Sequence, residues 1–293
     1  MNKSQWITAG AALLLTLGLY AATQDSIFGA NKLSHEGHDH AAEAAAPAAA
    51  GGAAEALSTD TVLARARQTL SPDRAARIAM LEQSITRGDV QEQKIHLYHQ
   101  LSRFWYDTGR VFEPYAFYKA EEARLENSEN SLTFAAHLFL NNLRAEEDPA
   151  LKQWKALQAR DLFERSLKLN PANDSSEVGL GATLLYGGIG ATPMEGIGRI
   201  RKVVERNANN VYAQLTLGHA SLVSGQMDKA IERFQNVWKQ DPKNLEAVLS
   251  LADVYERKGD KANAIVWYKQ SLPLIPAPEL KTEVAQRIAE LSK

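Results

Sequence analysis

Three stretches of this sequence carry residue types that could do chemistry. His35-Glu36-Gly37-His38-Asp39-His40 places three imidazoles and two carboxylates within six residues. Such donors can wrap a divalent ion such as zinc, copper or nickel. The tract would lose conformational entropy on closing around an ion, so a solvated polar spacer that takes up metal weakly is the competing reading. Gly187-Gly188-Ile189-Gly190-Ala191-Thr192 has the look of a phosphate-cradling loop ahead of a helix start. No strand pattern precedes it, no Lys-Ser/Thr pair follows, and no acidic residue is placed for a ribose. That leaves a turn between two helices. His96 and His99, three apart, can share one helix face, where surface polar contact is the ordinary role. No carboxylate pair, Ser-His-Asp order or HExxH helix stands out, so neither an enzyme nor a cofactor is expected.

Composition narrows the classes further. The 293 residues contain no cysteine, which removes disulfides, thiol catalysis and cysteine-built zinc sites. A formal net charge of −2 argues against a nucleic-acid binder that works by neutralising phosphates. The N-terminus speaks to location. Lys3 precedes an uncharged apolar run from Trp6 to Ala22, bracketed by Trp6 and Tyr20 as interfacial aromatics would be. A basic start before such a run makes residues 1–23 an export signal, either kept as a single-pass membrane anchor or cleaved after small residues Ala21, Ala22 and Thr23. With Lys3 inside, the body of the protein faces the outer side of the cytoplasmic membrane, which in a bacterium is the periplasm. Residues 24–57, with AAEAAAPAAAGGAAEA, lack large apolar side chains and read as a tether.

The elements that must position any functional residue start at Ser58. Residues 58–94 show helical periodicity: Ser58 or Asp60 caps a short helix through Leu70, and Ser71-Pro72 opens a second that carries Ile78, Leu81 and Ile85. Val211 to Asn244 then sets the frame. Leu217-Gly218 lies in a first apolar-periodic segment, Gly225 breaks it, and Ala230, Phe234 and Val237 recur at helical spacing before Pro242. Small residues at Gly218 and Ala230 would let two antiparallel helices approach closely, with Phe234 filling the space between them. Leu245 to Pro278 repeats the frame with Leu251-Ala252, Tyr255, Gly259-Asp260, Ala264, Tyr268, Ser271 and Pro276. These residues resemble the tetratricopeptide (TPR) repeat, a helix-turn-helix unit of 34 residues. Three more units precede them in phase, at 95–128, 129–173 and 174–210. The unit 129–173 is 45 residues long, and its 11 extra residues are expected in the inter-helix turn around Arg144 to Lys155. Residues 279–293 form an amphipathic closing helix, with Leu280, Val284, Ile288 and Leu291 inward and Lys281, Glu283, Arg287 and Glu290 toward water.

The resemblance implies an all-α superhelical solenoid of about five helix-turn-helix repeats, with a helical cap or decayed repeat at 58–94 and a C-terminal capping helix. It also implies that the first helix of each unit lines an inner groove. Carried over place by place, that groove takes His96, His99, Gln100, Arg103, Tyr106 and Asp107 from the first repeat, and Asn130, Thr133, His137 and Asn141 from the second. The third gives Val178, Ala182, Leu185 and Tyr186; the fourth Tyr212, Leu215, His219 and Leu222; the fifth Glu246, Asp253, Glu256 and Arg257. TPR domains that clamp a C-terminal carboxylate use Lys and Asn at fixed places; His99, Thr133, Val178, Leu215 and Leu249 at the fifth place do not support one. The expected function is a non-catalytic scaffold that binds a protein or peptide in its groove, with specificity from the 144–155 and 187–192 segments. Two alternatives remain. Membrane-anchored TPR subunits of bacterial cytochrome c maturation, which present apocytochrome, look similar in layout. A metal-handling protein would use His35, His38 and His40.

Overall fold

The computed structural model describes residues 57–87, 90–190 and 192–293. The export signal, the tether and the His tract lie outside them. Among the described residues there are thirteen α-helices and no strand, and no helix is long and apolar enough to cross a membrane. Two helices lead, α1 (Thr59–Arg67) and α2 (Pro72–Arg87). Five helical hairpins follow: α3 (Gln91–Phe104) with α4 (Phe112–Glu126), α5 (Glu129–Leu143) with α6 (Pro149–Leu169), α7 (Asp174–Tyr186) with α8 (Pro193–Arg206), α9 (Val211–Val223) with α10 (Met227–Gln240), and α11 (Leu245–Arg257) with α12 (Lys261–Ser271). The last helix, α13, runs Pro278–Leu291. Each hairpin packs within itself and against the next, and first helices also touch first helices (α5 with α7, α7 with α9). One layer of first helices and one of second helices is the result.

The repeat boundaries have a simple local cause. Asn173, Asn210 and Asn244, each closing one unit, accept a hydrogen bond through the side-chain carbonyl from the backbone N–H of Ser176, Ala213 and Ala247, all at 2.9 Å. Each such cap satisfies an orphan donor of the next helix and stabilises it by about 1 kcal/mol. Within hairpins four and five the turn is made at Gly225 (φ 71°) and Gly259 (φ 80°), a backbone state that favours glycine. Packing follows the expected frame. Ala230, Phe234 and Val237 are buried, and a Cβ on Gly218 would collide with the Phe234 ring, so the close approach of α9 and α10 requires glycine there.

The N-terminal half departs from the sequence reading in instructive ways. The extra residues after Arg144 are mostly helix rather than loop. Asp148 accepts from the N–H groups of Ala150 (2.9 Å) and Leu151 (3.3 Å), Pro149 takes the first helical position, and α6 is therefore 21 residues long. Its added turns carry Trp154, whose indole N–H donates to Thr59 Oγ1 of α1 at 3.1 Å. They also carry Lys155, fully buried, which holds Glu113 (2.9 Å), Glu146 (2.5 Å) and Asn142 (2.6 Å) and lies 5.2 Å from the Phe112 ring centre. The first hairpin begins at Gln91, four residues before Ile95, and α3 runs into a π-helical turn at Trp105–Gly109. Pro114 is buried in the first turn of α4, where no helical N–H bond is lost. Ser58 does cap α1, accepting from Thr61 N–H at 3.1 Å, but the helix stops at Arg67 rather than Leu70. Leu57, assigned to the tether, packs on the core.

At the other end, Leu280 and Val284 of α13 are buried as expected. Arg287, expected in water, instead donates to Glu256 of α11 and to Glu290 (2.7 Å), while Tyr268 donates its hydroxyl proton to the same Glu256 at 2.9 Å. Glu256 thus fastens the cap and does not face a groove.

Candidate functional site

Six of the expected groove residues meet in one continuous row along the first helices of repeats two, four and five. His137 of α5 sits edge-on to Phe163 of α6 (5.1 Å between ring centres) and shares a hydrogen bond between Nε2 and Ser175 Oγ at 2.9 Å. Its ring also meets Tyr212 of α9 at 5.7 Å. Repeat three holds buried Ala182 at the place corresponding to His137, and so small a side chain leaves room for Tyr212 to reach across one repeat. Two turns on, His219 packs 5.1 Å from Phe234, as His137 does on Phe163, and its Nε2 meets Glu246 of α11 at 3.0 Å. Asp253 and Arg257 close the row, Arg257 donating to the carboxylate at 2.9 Å.

At Glu246 the exposure and the desolvation together fit a recessed row. Half of the Glu246 side chain (51%) touches solvent, yet desolvation by surrounding protein is the largest influence on its carboxyl. Both hold at once only where protein rises around an open surface. Desolvation pushes Glu246 up, but the His219 hydrogen bond and charge, with Arg144, outweigh it and hold it below the usual carboxylate range. Asp253 goes the other way: desolvation and Glu256 raise it against the pull of Arg257 and His219. Burial lowers His137 to about 4, so its imidazole is neutral at physiological pH. Burial pushes the Tyr212 hydroxyl far up, and it stays protonated.

Arg144 and Tyr186 complete the recess. The Arg144 guanidinium lies 5.0 Å over the Tyr186 ring, and its charge is felt at Tyr212 and Glu246. The sequence reading placed Tyr186 in the groove but Arg144 only in the 144–155 segment expected to confer specificity, because it lies beyond the end of the α5 repeat pattern.

The other expected residues do not join this row. Arg103 donates to Asp107 at 3.2 Å, both exposed. Tyr106 packs at a tilt against Tyr115 of α4, 5.1 Å between ring centres, because the π-helical turn rotates it out of the helical register. His99 pairs with Glu122 at 3.1 Å across the first hairpin. His96, Asn130 and Asn141 are exposed or half-buried along their helices and do not join it. Val178 and Leu215, expected in the groove, are core residues instead, as is Leu249 at the matching fifth place. The two segments expected to confer specificity pack on each other: Gln153 donates to the Gly188 carbonyl at 3.1 Å, and a Cβ on Gly187 would strike Ala156. Gly188 (φ 63°) and Gly190 (φ 77°) lie in the turn between α7 and α8. Among the described residues no group of three His, Asp or Glu is arranged to hold a metal.

Stacked helical hairpins with an open, recessed face of first helices define a helical-repeat solenoid. Residues 221–286 match the profile of the Tetratricopeptide repeat family, and that segment carries tetratricopeptide repeats. Cellulose synthase operon protein C of Escherichia coli (strain K12) is 27% identical over 118 residues, 40% of this chain and 10% of that protein. The chain thus matches only about a tenth of that relative's length. Among solved structures, MamA 41-end from Desulfovibrio magneticus RS-1 is 24% identical, covering 64% of this chain and 96% of that one, with a TM-score of 0.42. A thermophilic TPR protein of Thermus thermophilus, TTC0263, is 15% identical, covering 69% and 98%, with a TM-score of 0.47.

Proposed function

We propose that the chain is a non-catalytic scaffold whose groove, formed by the first helices of repeats two to five, binds an extended peptide segment of a partner protein. The observation that carries this reading is the recessed row His137, Tyr212, Glu246, His219 and Asp253. Its aromatic rings offer stacking area, and its polar atoms can meet backbone and side-chain groups of an extended ligand. TPR scaffolds act by binding proteins. The apolar run of residues 6–22 further supports a location at the cytoplasmic membrane, with the repeats held on its periplasmic side.

A photo-crosslinking residue placed at Asn141, beside the row, and another at Lys239, on the second-helix layer, test the groove in membranes. A single partner captured at 141, absent at 239 and lost on combining His137→Ala with His219→Ala, is the expected result. Capture at 239 alone would move the binding surface to the second helices.

A further inference from the structure

One pair of side chains in the recess carries hydrogen-bond donors that no described residue takes up. Tyr186 ends α7 with its hydroxyl oxygen shut off from solvent and without a hydrogen-bond partner among the described residues. A buried hydroxyl left unpaired is uncommon, and a bound group is one of the ordinary explanations. Arg144, exposed at the end of α5, rests the face of its guanidinium on the Tyr186 ring and makes no hydrogen bond or ion pair to any described residue. Stacking uses only that face. The in-plane N–H donors remain free, in a fork that matches a carboxylate.

We propose that Arg144 and Tyr186 form a subsite for an acidic side chain, Asp or Glu, of the peptide bound in the groove. The inference rests on the groove reading and names the ligand's chemistry within it. Charge decides the sign. Glu246, a carboxylate on the first helices that senses Arg144, is already engaged by His219 at 3.0 Å, so the Arg144 donors stay available. A cationic ligand residue would instead be repelled by Arg144. The Tyr186 hydroxyl, kept protonated by burial, would donate to the same carboxylate once the bound side chain displaces the protein atoms that cover it. A carboxylate held by an arginine fork and a tyrosine hydroxyl binds more strongly than either contact alone would allow. Arg144 also lies outside the places a C-terminal carboxylate clamp uses, so a side chain within the peptide, not its end, is the expected source.

The test is selection of short random peptides by the detergent-solubilised full chain. One library presents peptides internally, with both ends blocked by carrier sequence; the other ends in a free carboxylate. The expected result is enrichment of Asp or Glu at one fixed position in the internal library. Arg144→Gln should lower the affinity of the selected peptides by about tenfold to a hundredfold and abolish that preference while keeping the others. Arg144→Lys should restore part of it, and Tyr186→Phe should give a smaller loss with the ring retained. Circular dichroism melts confirm that each variant folds. Peptides selected without an acidic position, an acidic preference that survives Arg144→Gln, or binding confined to the free-carboxylate library would each overturn the subsite and leave the groove standing. No selection of any peptide would overturn the groove reading and the subsite together.

Discussion

Repeats four and five and repeats one and two are held together by different physics. In the C-terminal pair, two units of 34 residues meet in phase, and the interior contacts are mainly apolar: Ala230, Phe234, Val237, Leu251, Ala252 and Ala264 are all buried, with the polar pairs His219–Glu246 and Lys258–Asp228 nearer the surface. In the N-terminal pair, polar side chains do much of the fastening. Lys155 anchors Glu113 and Glu146 in the interior. Arg124 links Glu121 (2.5 Å), Asp161 (2.9 Å) and Gln158 (2.8 Å). Glu82 of α2 accepts from Arg67 at 2.7 Å and from the Tyr118 hydroxyl. Apolar repeat contacts are interchangeable between units and propagate a solenoid. Ion pairs in a dry interior depend on geometry, and each fixes one particular junction. The N-terminal half uses them where the repeat frame is broken, at the lengthened α6 and the docked α1 and α2.

The contrast can be broken at either end. Phe234→Ala should have the largest effect, about 3–5 kcal/mol, read by urea unfolding, with amide exchange rising through α9 to α12 and little changed in α4 to α6. Exchange rising equally in both halves would show that they unfold as one. Lys155→Met leaves two carboxylates facing each other without their cation, a loss of about 3 kcal/mol located by exchange in α4 to α6. Adding Glu146→Gln should recover part of it; no recovery would mean that the packing of the lysine stem, not its charge, carries the contact. Gly218→Ala pushes α9 off the Phe234 ring at about 1–3 kcal/mol, measured by the same unfolding curves, whereas Gly198→Ala, with open space around it, should be neutral or stabilising in the helix.

The smallest effect is a pH dependence. His137 titrates at about 4 in the folded chain against 6.5 in its ordinary state. Between these values the unfolded chain binds a proton that the folded chain refuses, so stability falls as pH drops from 6.5 toward 4 and is unaffected by this group above 6.5. For a half-buried ring the loss is about 1–2 kcal/mol. His137→Asn should flatten that part of the stability–pH curve; an unchanged slope would assign it to other groups.

What was legible in the sequence was whatever the helical period and the boundary residues dictate. Gly225 and Gly259 at the turns and Phe234 opposite Gly218 are local or near-local requirements, and the structure meets each of them. The row His137, Tyr212, His219, Asp253 and Arg257 was legible for the same reason, since helical register puts a repeat's inner places in line. Register failed at Tyr106, where a π-helical turn rotates the side chain, and at residues 149–155, where an Asp-Pro start turned an apparent loop into helix.

The sequence by itself determined a stack of helical hairpins and the face on which its polar and aromatic side chains gather, because both follow from residue spacing along a helix of fixed pitch. Only the tertiary structure decided that Arg144 rests on Tyr186, that Tyr212 reaches His137 past a repeat narrowed by Ala182, and that Lys155 is buried between two glutamates. Those contacts join residues far apart in the chain, and no local periodicity encodes the distances at which folded helices bring side chains together.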